Sequence, residues 1–212
     1  MSPVSFEVLG ARAEAFAAVP TLMLRLRITS PANSPVHAMA LRCQIMIEPK
    51  RRHYEGAEER RLTELFGETP RWGDTLRPFL WANVGMTVNG FSDSTEVDLP
   101  ITCTYDFEIA STKYMHALDD GEIPIVVMFS GTVFAKSAAG LSAVPVSWSE
   151  ESSYRLPVAL WREMMDLYFP NCAWLRLGRQ TLDSLQRYKV DRALRTWDET
   201  FEMLLKEAGE DL

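Results

Sequence analysis

The sequence is poor in cysteine and histidine and has no long apolar run, and each shortage excludes a class of protein. Its 212 residues include 3 cysteines and 3 histidines. Cys43, Cys103 and Cys172 are odd in number and widely spaced within apolar sequence, which favours reduced thiols over a disulfide framework. No window approaches the roughly 18 apolar residues that span a bilayer, and no basic stretch followed by an apolar run opens the chain. We therefore expect a cytoplasmic protein without a membrane span.

Positive charge is also scarce. The chain has 22 Lys and Arg residues against 29 Asp and Glu residues, which gives a formal net charge of -7. Such a protein lacks the broad positive field that follows a phosphate backbone. Nucleic acid and anionic membrane surfaces are therefore excluded as expected partners.

The sequence contains no constellation of residues that would support catalysis. His37, His53 and His116 stand far apart, and no Cys-x-x-Cys or His-x-x-x-His spacing suggests a zinc site. There is no Gly-x-Ser-x-Gly elbow and no phosphate-binding glycine loop. The acidic pairs at 58–59 and 119–120 lie in polar sequence typical of a solvated surface. We predict no catalytic residues, no metal, no cofactor and no enzyme activity.

Strict alternation of apolar and polar residues predicts antiparallel strands. The first two expected strands have their apolar side chains at Leu22, Leu24, Leu26 and Ile28, and at Met39, Leu41, Cys43, Ile45 and Ile47. A third alternating block runs over 95–109, and further strands are expected at 123–136 and 141–148. Gly131 is predicted to mark a β-bulge. The residues before Pro20 show no strong period and are expected to form an arm on the core.

The alternation disappears over 49–94, which predicts an irregular aromatic insertion between the second and third strands. Within it, 57–66 is expected to form a short helix that ends at Gly67. The rest of the insertion supplies Trp72, Phe79, Trp81, Met86 and Phe91. These five residues are candidates for binding a partner, because mobile aromatic and Met surfaces suit apolar contacts. The alternative is that they form a satellite core beneath a long loop.

Helical spacing replaces alternation in the C-terminal part. One helix is expected between Pro157 and Pro170, and a longer amphipathic helix over 181–205. The predicted fold is therefore α+β: an antiparallel sheet of four to five strands over 21–148, followed by a helical region over 157–207. We expect a single domain over 1–212.

Two short motifs resemble the export chaperone SecB and its relatives. Ser5-Phe6-Glu7, with Phe16 and Pro20 ahead of the first alternating strand, is similar to that family's N-terminal arm. Tyr168-x-Pro170-Asn171, followed by Arg176 or Arg179 and Leu185, is similar to the junction after its sheet. This resemblance implies a SecB-like fold and the binding of unfolded polypeptide.

The chain as a whole also resembles an uncharacterised bacterial family encoded in gene clusters for nickel-iron hydrogenases. The residues that carry this likeness are the block 95–109 and the segment 160–175, which reads Leu-Trp-Arg and then Tyr-Phe-Pro-Asn-Cys-Ala-Trp-Leu. Together the two resemblances imply a role in assembling or protecting a hydrogenase subunit.

We therefore hypothesise a non-catalytic accessory protein that binds an extended or immature polypeptide. One alternative is a structural subunit that docks on a larger complex through its C-terminal helix. Another is a small-molecule-binding protein with a pocket between sheet and helices, with Tyr105, Tyr114 or His116 at its mouth. Because a single exposed edge strand can pair two protomers, we also expect a homo-oligomer.

Overall fold

A computed structural model of the chain describes residues 4–31, 34–104, 109–137, 140–170, 172 and 175–210. The strands in these ranges are β1 (Ser5–Ala13), β2 (Thr21–Thr29), β3 (Val36–Ile47), β4 (Phe79–Phe91), β5 (Ser94–Thr102), β6 (Glu122–Ser137), β7 (Gly140–Pro145) and β8 (Glu151–Pro157). The α-helices are α1 (Ala57–Phe66), α2 (Trp72–Thr75), α3 (Ala110–Ala117), α4 (Val158–Tyr168), α5 (Arg179–Asp191) and α6 (Trp197–Ala208). Two short 3-10 helices cover Pro49–Arg51 and Thr69–Arg71. The predicted α+β class is confirmed.

The strands form two antiparallel sheets, where the sequence analysis expected one. The first sheet, sheet A, has the order β1-β2-β5. The second, sheet B, has the order β4-β3-β6-β7, and β8 also pairs with β6. β6 is long enough for two neighbours on one side, because β8 pairs with its first half and β7 with its second. Alternation identifies strands but carries no information on which strands pair, so it left the number of sheets open.

The inner faces of both sheets contribute to one hydrophobic core. The inward residues predicted for the first two alternating strands are all buried, from Leu22 to Ile28 in β2 and from Met39 to Ile47 in β3. Phe6 of β1 stacks on Phe129 of β6 with ring centroids 4.2 Å apart. The sequence pattern therefore predicted the core-facing side chains of these strands correctly.

Three strands were missed, β1, β4 and β8, and two of them, β1 and β8, have weak alternation. The N-terminal segment predicted as an arm forms β1, which pairs with β2 over its whole length and has a register shift between Val8 and Gly10. β8 lies between the last expected strand, which ended at Trp148, and the helix expected from Pro157, and it pairs with β6. The Val8 amide also donates a 3.0 Å hydrogen bond to Ser152 Oγ of β8. Both segments become strands because a neighbouring strand pairs with their backbone.

The expected insertion at 49–94 is only half irregular. Its first half contains the predicted helix, α1, which ends at Gly67 as expected. Its second half is β4, which pairs with β3 along 79–91 with one register shift. The third predicted strand is β5, which ends at Thr102, and residues 105–108 of that prediction lie outside the described residues.

Gly131 does not mark a bulge, because the pairing of β3 with β6 runs through it without a register shift. Its φ of +140° is one that only glycine adopts readily. A Cβ at this position would overlap the carbonyl oxygen of Ala40 on β3. The glycine therefore allows close backbone approach where β6 passes from its β8 neighbour to its β7 neighbour.

The chain divides into two compact units, Met1–Ala173 and Trp174–Leu212. Unit 2 contains two helices, where the sequence analysis expected one long helix over 181–205. α5 ends before Ala193, whose φ of 54° is incompatible with a right-handed helix. Thr196 then caps α6, because its side chain accepts a 3.1 Å hydrogen bond from the Glu199 amide. Within the described residues, every helix is too short or too polar to cross a membrane.

Candidate functional site

The outward face of sheet A is covered by compensated charges. Glu96 accepts hydrogen bonds from Arg25 at 2.8 Å and from Arg27 at 3.1 Å, and these bonds hold the pKa of Glu96 below its usual range. Arg27 also reaches Glu7 at 3.0 Å. The guanidinium group of Arg12 lies 3.2 Å from the Asp98 carboxylate and 2.8 Å from the Glu14 carboxylate. Cross-strand pairs of opposite charge are typical of a sheet face in contact with water.

The outward face of sheet B has a different chemistry. Its central region is formed by three alternate residues on each of β4, β3 and β6. We call these nine residues the Arg42 face. Its members are Asn83, Gly85 and Thr87, Ala40, Arg42 and Gln44, and Met128, Ser130 and Thr132. Arg42 is the one charged residue among the nine. It stands at the centre, paired with Gly85 on one side and with Ser130 on the other.

Arg42 is exposed and forms no salt bridge with any part of the chain that the structure describes. Two depressions flank it along β3. One, of about 390 Å³, is lined by the amide side chains of Gln44 and Asn83. The other, of about 760 Å³, is lined by the hydroxyl side chains of Thr87 and Thr132. Both are bordered by Arg42 and Ser130, so the guanidinium group is surrounded by uncharged groups able to form hydrogen bonds.

β7 is an edge strand of sheet B, as β4 is at the other end of the sheet. It pairs with β6 on one side, and no strand among the described residues pairs with its other side. Leu141 of β7 is 62% exposed, and Trp148, three residues beyond the strand, is 92% exposed. Val144 is also exposed. A free strand edge with exposed apolar side chains is a template for pairing with another extended chain.

The five predicted partner-binding residues do not form an exposed patch. Trp72 is buried, and its indole N–H donates a 2.7 Å hydrogen bond to the Gly67 carbonyl. Phe79 packs in the same aromatic cluster, with its ring centroid 5.6 Å from that of Tyr114. Trp81, Met86 and Phe91 belong to β4 and are partly buried against the core. These positions favour the satellite-core interpretation, and the partner-binding role stays a prediction.

A buried tyrosine pair lies at the centre of this aromatic cluster. The hydroxyl groups of Tyr54 and Tyr114 are 2.7 Å apart, and Tyr54 donates to the Pro49 carbonyl, also at 2.7 Å. Tyr114 must therefore donate to Tyr54. Burial raises the pKa of Tyr114 to about 12. Beside the pair, Arg52 forms a largely buried 2.6 Å ion pair with Glu58. The two hydroxyl groups and the ion pair have partners within the protein, and Nε of Arg52 is buried without one. Because most of its polar groups are paired internally, we interpret the network as structural.

Of the three residues proposed for a small-molecule pocket, the structure describes Tyr114 and His116. Tyr105 lies outside the described residues, and Tyr114 is fully buried. His116 lines a depression between α1 and α3 and packs edge-on against Trp161, with ring centroids 4.6 Å apart. Burial, and then the nearby Arg162, lower its pKa. Among the described residues, no group of three or more His, Cys, Asp or Glu side chains is placed so that it could hold a metal ion.

Sequence reasoning missed both Arg42 and the β7 edge. Arg42 occupies an ordinary outward position in an alternating strand, so nothing in the pattern separates it from Arg25 or Arg27. The signal for β7 was present in the short segment 140–145, which ends in proline and is followed by the apolar Trp148. A brief strand bounded in this way is typical of a sheet edge.

The described chain is thus an α+β protein of two antiparallel sheets, with β7 at an edge of sheet B and Arg42 as the one charged residue of the Arg42 face. It belongs to the family of unknown function DUF6084, whose family model matches residues 1–212. No curated protein matches the chain.

Proposed function

We propose that this protein is a non-catalytic accessory protein that binds extended or immature polypeptide. The observation that carries the proposal is β7, an open strand edge whose exposed side chains include Leu141 and Val144. An extended client would add to this edge as a further strand, with backbone hydrogen bonds supplying affinity without strict sequence demands. The net charge of -7 would keep a protein with an exposed apolar edge soluble.

The proposed clients are immature subunits of a nickel-iron hydrogenase. This part of the proposal is supported by the resemblance to a family encoded in hydrogenase gene clusters. The resemblance to SecB supports the chaperone-like mode of action. We also propose a cytoplasmic location.

The edge-strand mode is tested by placing a charge on β7. Leu141→Lys should weaken binding of a permanently unfolded, reduced and alkylated test protein by about tenfold, since a lysine on an edge strand opposes pairing. Leu167→Lys on α4 is the matched control, because Leu167 is also exposed, at 51%, and lies outside the sheets. Binding is measured by fluorescence anisotropy of the labelled client.

Equal binding by the two lysine variants would contradict the edge-strand mode, and an absence of client binding by the unsubstituted protein would contradict the function. The client itself is identified by affinity capture of the tagged protein from its host. Recovery of immature hydrogenase subunits in substoichiometric amounts is the expected result. Recovery of a mature complex at fixed stoichiometry would instead indicate a structural subunit.

That second candidate function has its own support in unit 2. The helices α5 and α6 expose apolar side chains, with Val190 76% exposed and Trp197, Met203 and Leu205 between 37% and 39% exposed. Helices with exposed apolar positions are suited to a groove on a partner. A Val190→Lys variant that loses a fixed-stoichiometry complex would favour this candidate over the chaperone.

A further inference from the structure

We propose that the Arg42 face is a recognition site for a client segment that presents an aspartate or glutamate side chain. This inference rests on the proposed function and gives its client a chemical character. The occupant is an extended segment of another polypeptide, with one carboxylate placed against Arg42 and uncharged residues on either side.

Charge complementarity is the first argument. On sheet A, each of Arg12, Arg25 and Arg27 lies within 3.2 Å of a carboxylate supplied by the same chain. On sheet B, Arg42 has no such carboxylate among the described residues, although the chain has an excess of acidic residues. A guanidinium group prefers a planar carboxylate with which it can form two parallel hydrogen bonds. The missing member of the pair is supplied by the client.

The shape of the face is the second argument. The neighbours of Arg42 across the ladder are Gly85 and Ser130, which leave room on both sides of its side chain. The two depressions extend this open space along β3, from Gln44 at one end to Ala40 at the other. Five residues of strand span roughly 13 Å, which matches about five residues of an extended client. Thr87, Thr132, Asn83 and Gln44 would form hydrogen bonds on either side of the central carboxylate.

Arg42 lies two strands from β7, because β6 stands between β3 and β7, and the Arg42 face borders β7 only where Thr132 pairs with Pro145. The free edge of β7 and the guanidinium group of Arg42 therefore make separate contributions to binding. The edge supplies backbone pairing that any extended chain can use, whereas the Arg42 face selects by charge. A client would gain affinity by occupying both.

The test uses nine-residue peptides of Ala, Val and Thr with a central Glu, Gln or Lys, capped at both ends to remove terminal charges. Affinities are measured by calorimetry at low salt, because an exposed pair is screened. The unsubstituted protein should bind the Glu peptide about fivefold more tightly than the Gln peptide. Arg42→Gln should remove this preference, and Arg42→Glu should turn it toward the Lys peptide.

Arg71→Glu is the matched control, because Arg71 is exposed on a 3-10 helix outside both sheets. It should keep the preference for the Glu peptide. Equal affinity for the Glu and Gln peptides, or a preference that survives Arg42→Gln, would overturn the inference. Circular dichroism of each variant checks that the fold is retained.

The Gln peptide distinguishes this inference from the proposed function. Suppose that the Gln peptide binds, that Leu141→Lys weakens this binding, and that the Glu peptide binds no more tightly than the Gln peptide. The edge-strand function then stands and the Arg42 inference fails. If the Glu peptide binds through Arg42 and Leu141→Lys leaves its affinity unchanged, the inference stands and the edge-strand mode fails. An absence of binding by all three peptides overturns both.

Discussion

At the scale of single residues, the environment of a side chain decides whether its chemistry is available. Cys43 and Cys103 are both buried. Burial raises the pKa of each thiol to about 12. Cys172 is exposed.

This difference predicts the thiol reactivity of the native protein. At pH 8, a thiol-reactive dye should label one cysteine per chain, because only the thiolate reacts and the two buried thiols stay protonated. Cys172→Ser should abolish native labelling, whereas full denaturant should expose all three thiols of the unsubstituted chain. Rapid labelling of two or more cysteines without denaturant would contradict the burial of β3 and β5.

The same raised pKa values set the direction of a pH effect on stability. The unfolded thiols ionise near pH 8.5 and the folded ones near 12, so between these values the unfolded state binds fewer protons. The contribution of the two thiols to the free energy of unfolding is therefore fully present below about pH 8.5. It is lost as the pH rises toward 12.

At the scale of elements, β6 organises sheet B, because it pairs with β3 along one side and with β8 and β7 along the other. Around Gly131, the strand that pairs with this second side of β6 changes from β8 to β7. The Phe129 amide donates to the Glu150 carbonyl at 2.9 Å, and the Val146 amide donates to the Gly131 carbonyl at 3.0 Å. These two hydrogen bonds hold the loop between β7 and β8 against β6.

Gly131→Ala should therefore destabilise the protein strongly, by more than about 3 kcal/mol, because the new Cβ meets the Ala40 carbonyl and the backbone conformation is strained. The matched control is Gly10→Ala at the register shift of β1, where a Cβ meets no atom within 4 Å. Its effect should stay within about 1 kcal/mol. Urea denaturation measures both, and similar midpoints for the two variants would contradict the close approach of β6 and β3.

At the scale of the whole molecule, the two compact units differ in their cores. Every buried apolar side chain among the described residues lies between Val4 and Met165, within the unit Met1–Ala173. The unit Trp174–Leu212 contributes exposed apolar residues such as Val190 and none to that core. A unit that contains its own hydrophobic core can in principle fold alone as a domain.

Limited trypsin digestion should therefore cut first at Arg176 or Arg179, which are exposed where the second unit begins. The larger fragment should resist further digestion and unfold at nearly the same temperature as the intact chain, since it keeps the whole core. Mass spectrometry locates the cut, and Arg176→Gln with Arg179→Gln is the control. Prompt degradation of the larger fragment would instead support the single domain over 1–212 that the sequence predicts.

The sequence by itself determined the α+β class, the core-facing residues of β2, β3 and most of β5, and the helices α1 and α4. It did so because these elements carry a strong local period, and a period of two or 3.6 residues selects which side chains are buried. Only the tertiary structure decided the division into two sheets, the partial burial of Trp81, Met86 and Phe91 in β4, and the position of β7 at a sheet edge. Strand pairing joins residues that are distant in sequence, so no local pattern records it. The isolation of Arg42 has the same cause, since whether a charge is compensated depends on which strands become its neighbours.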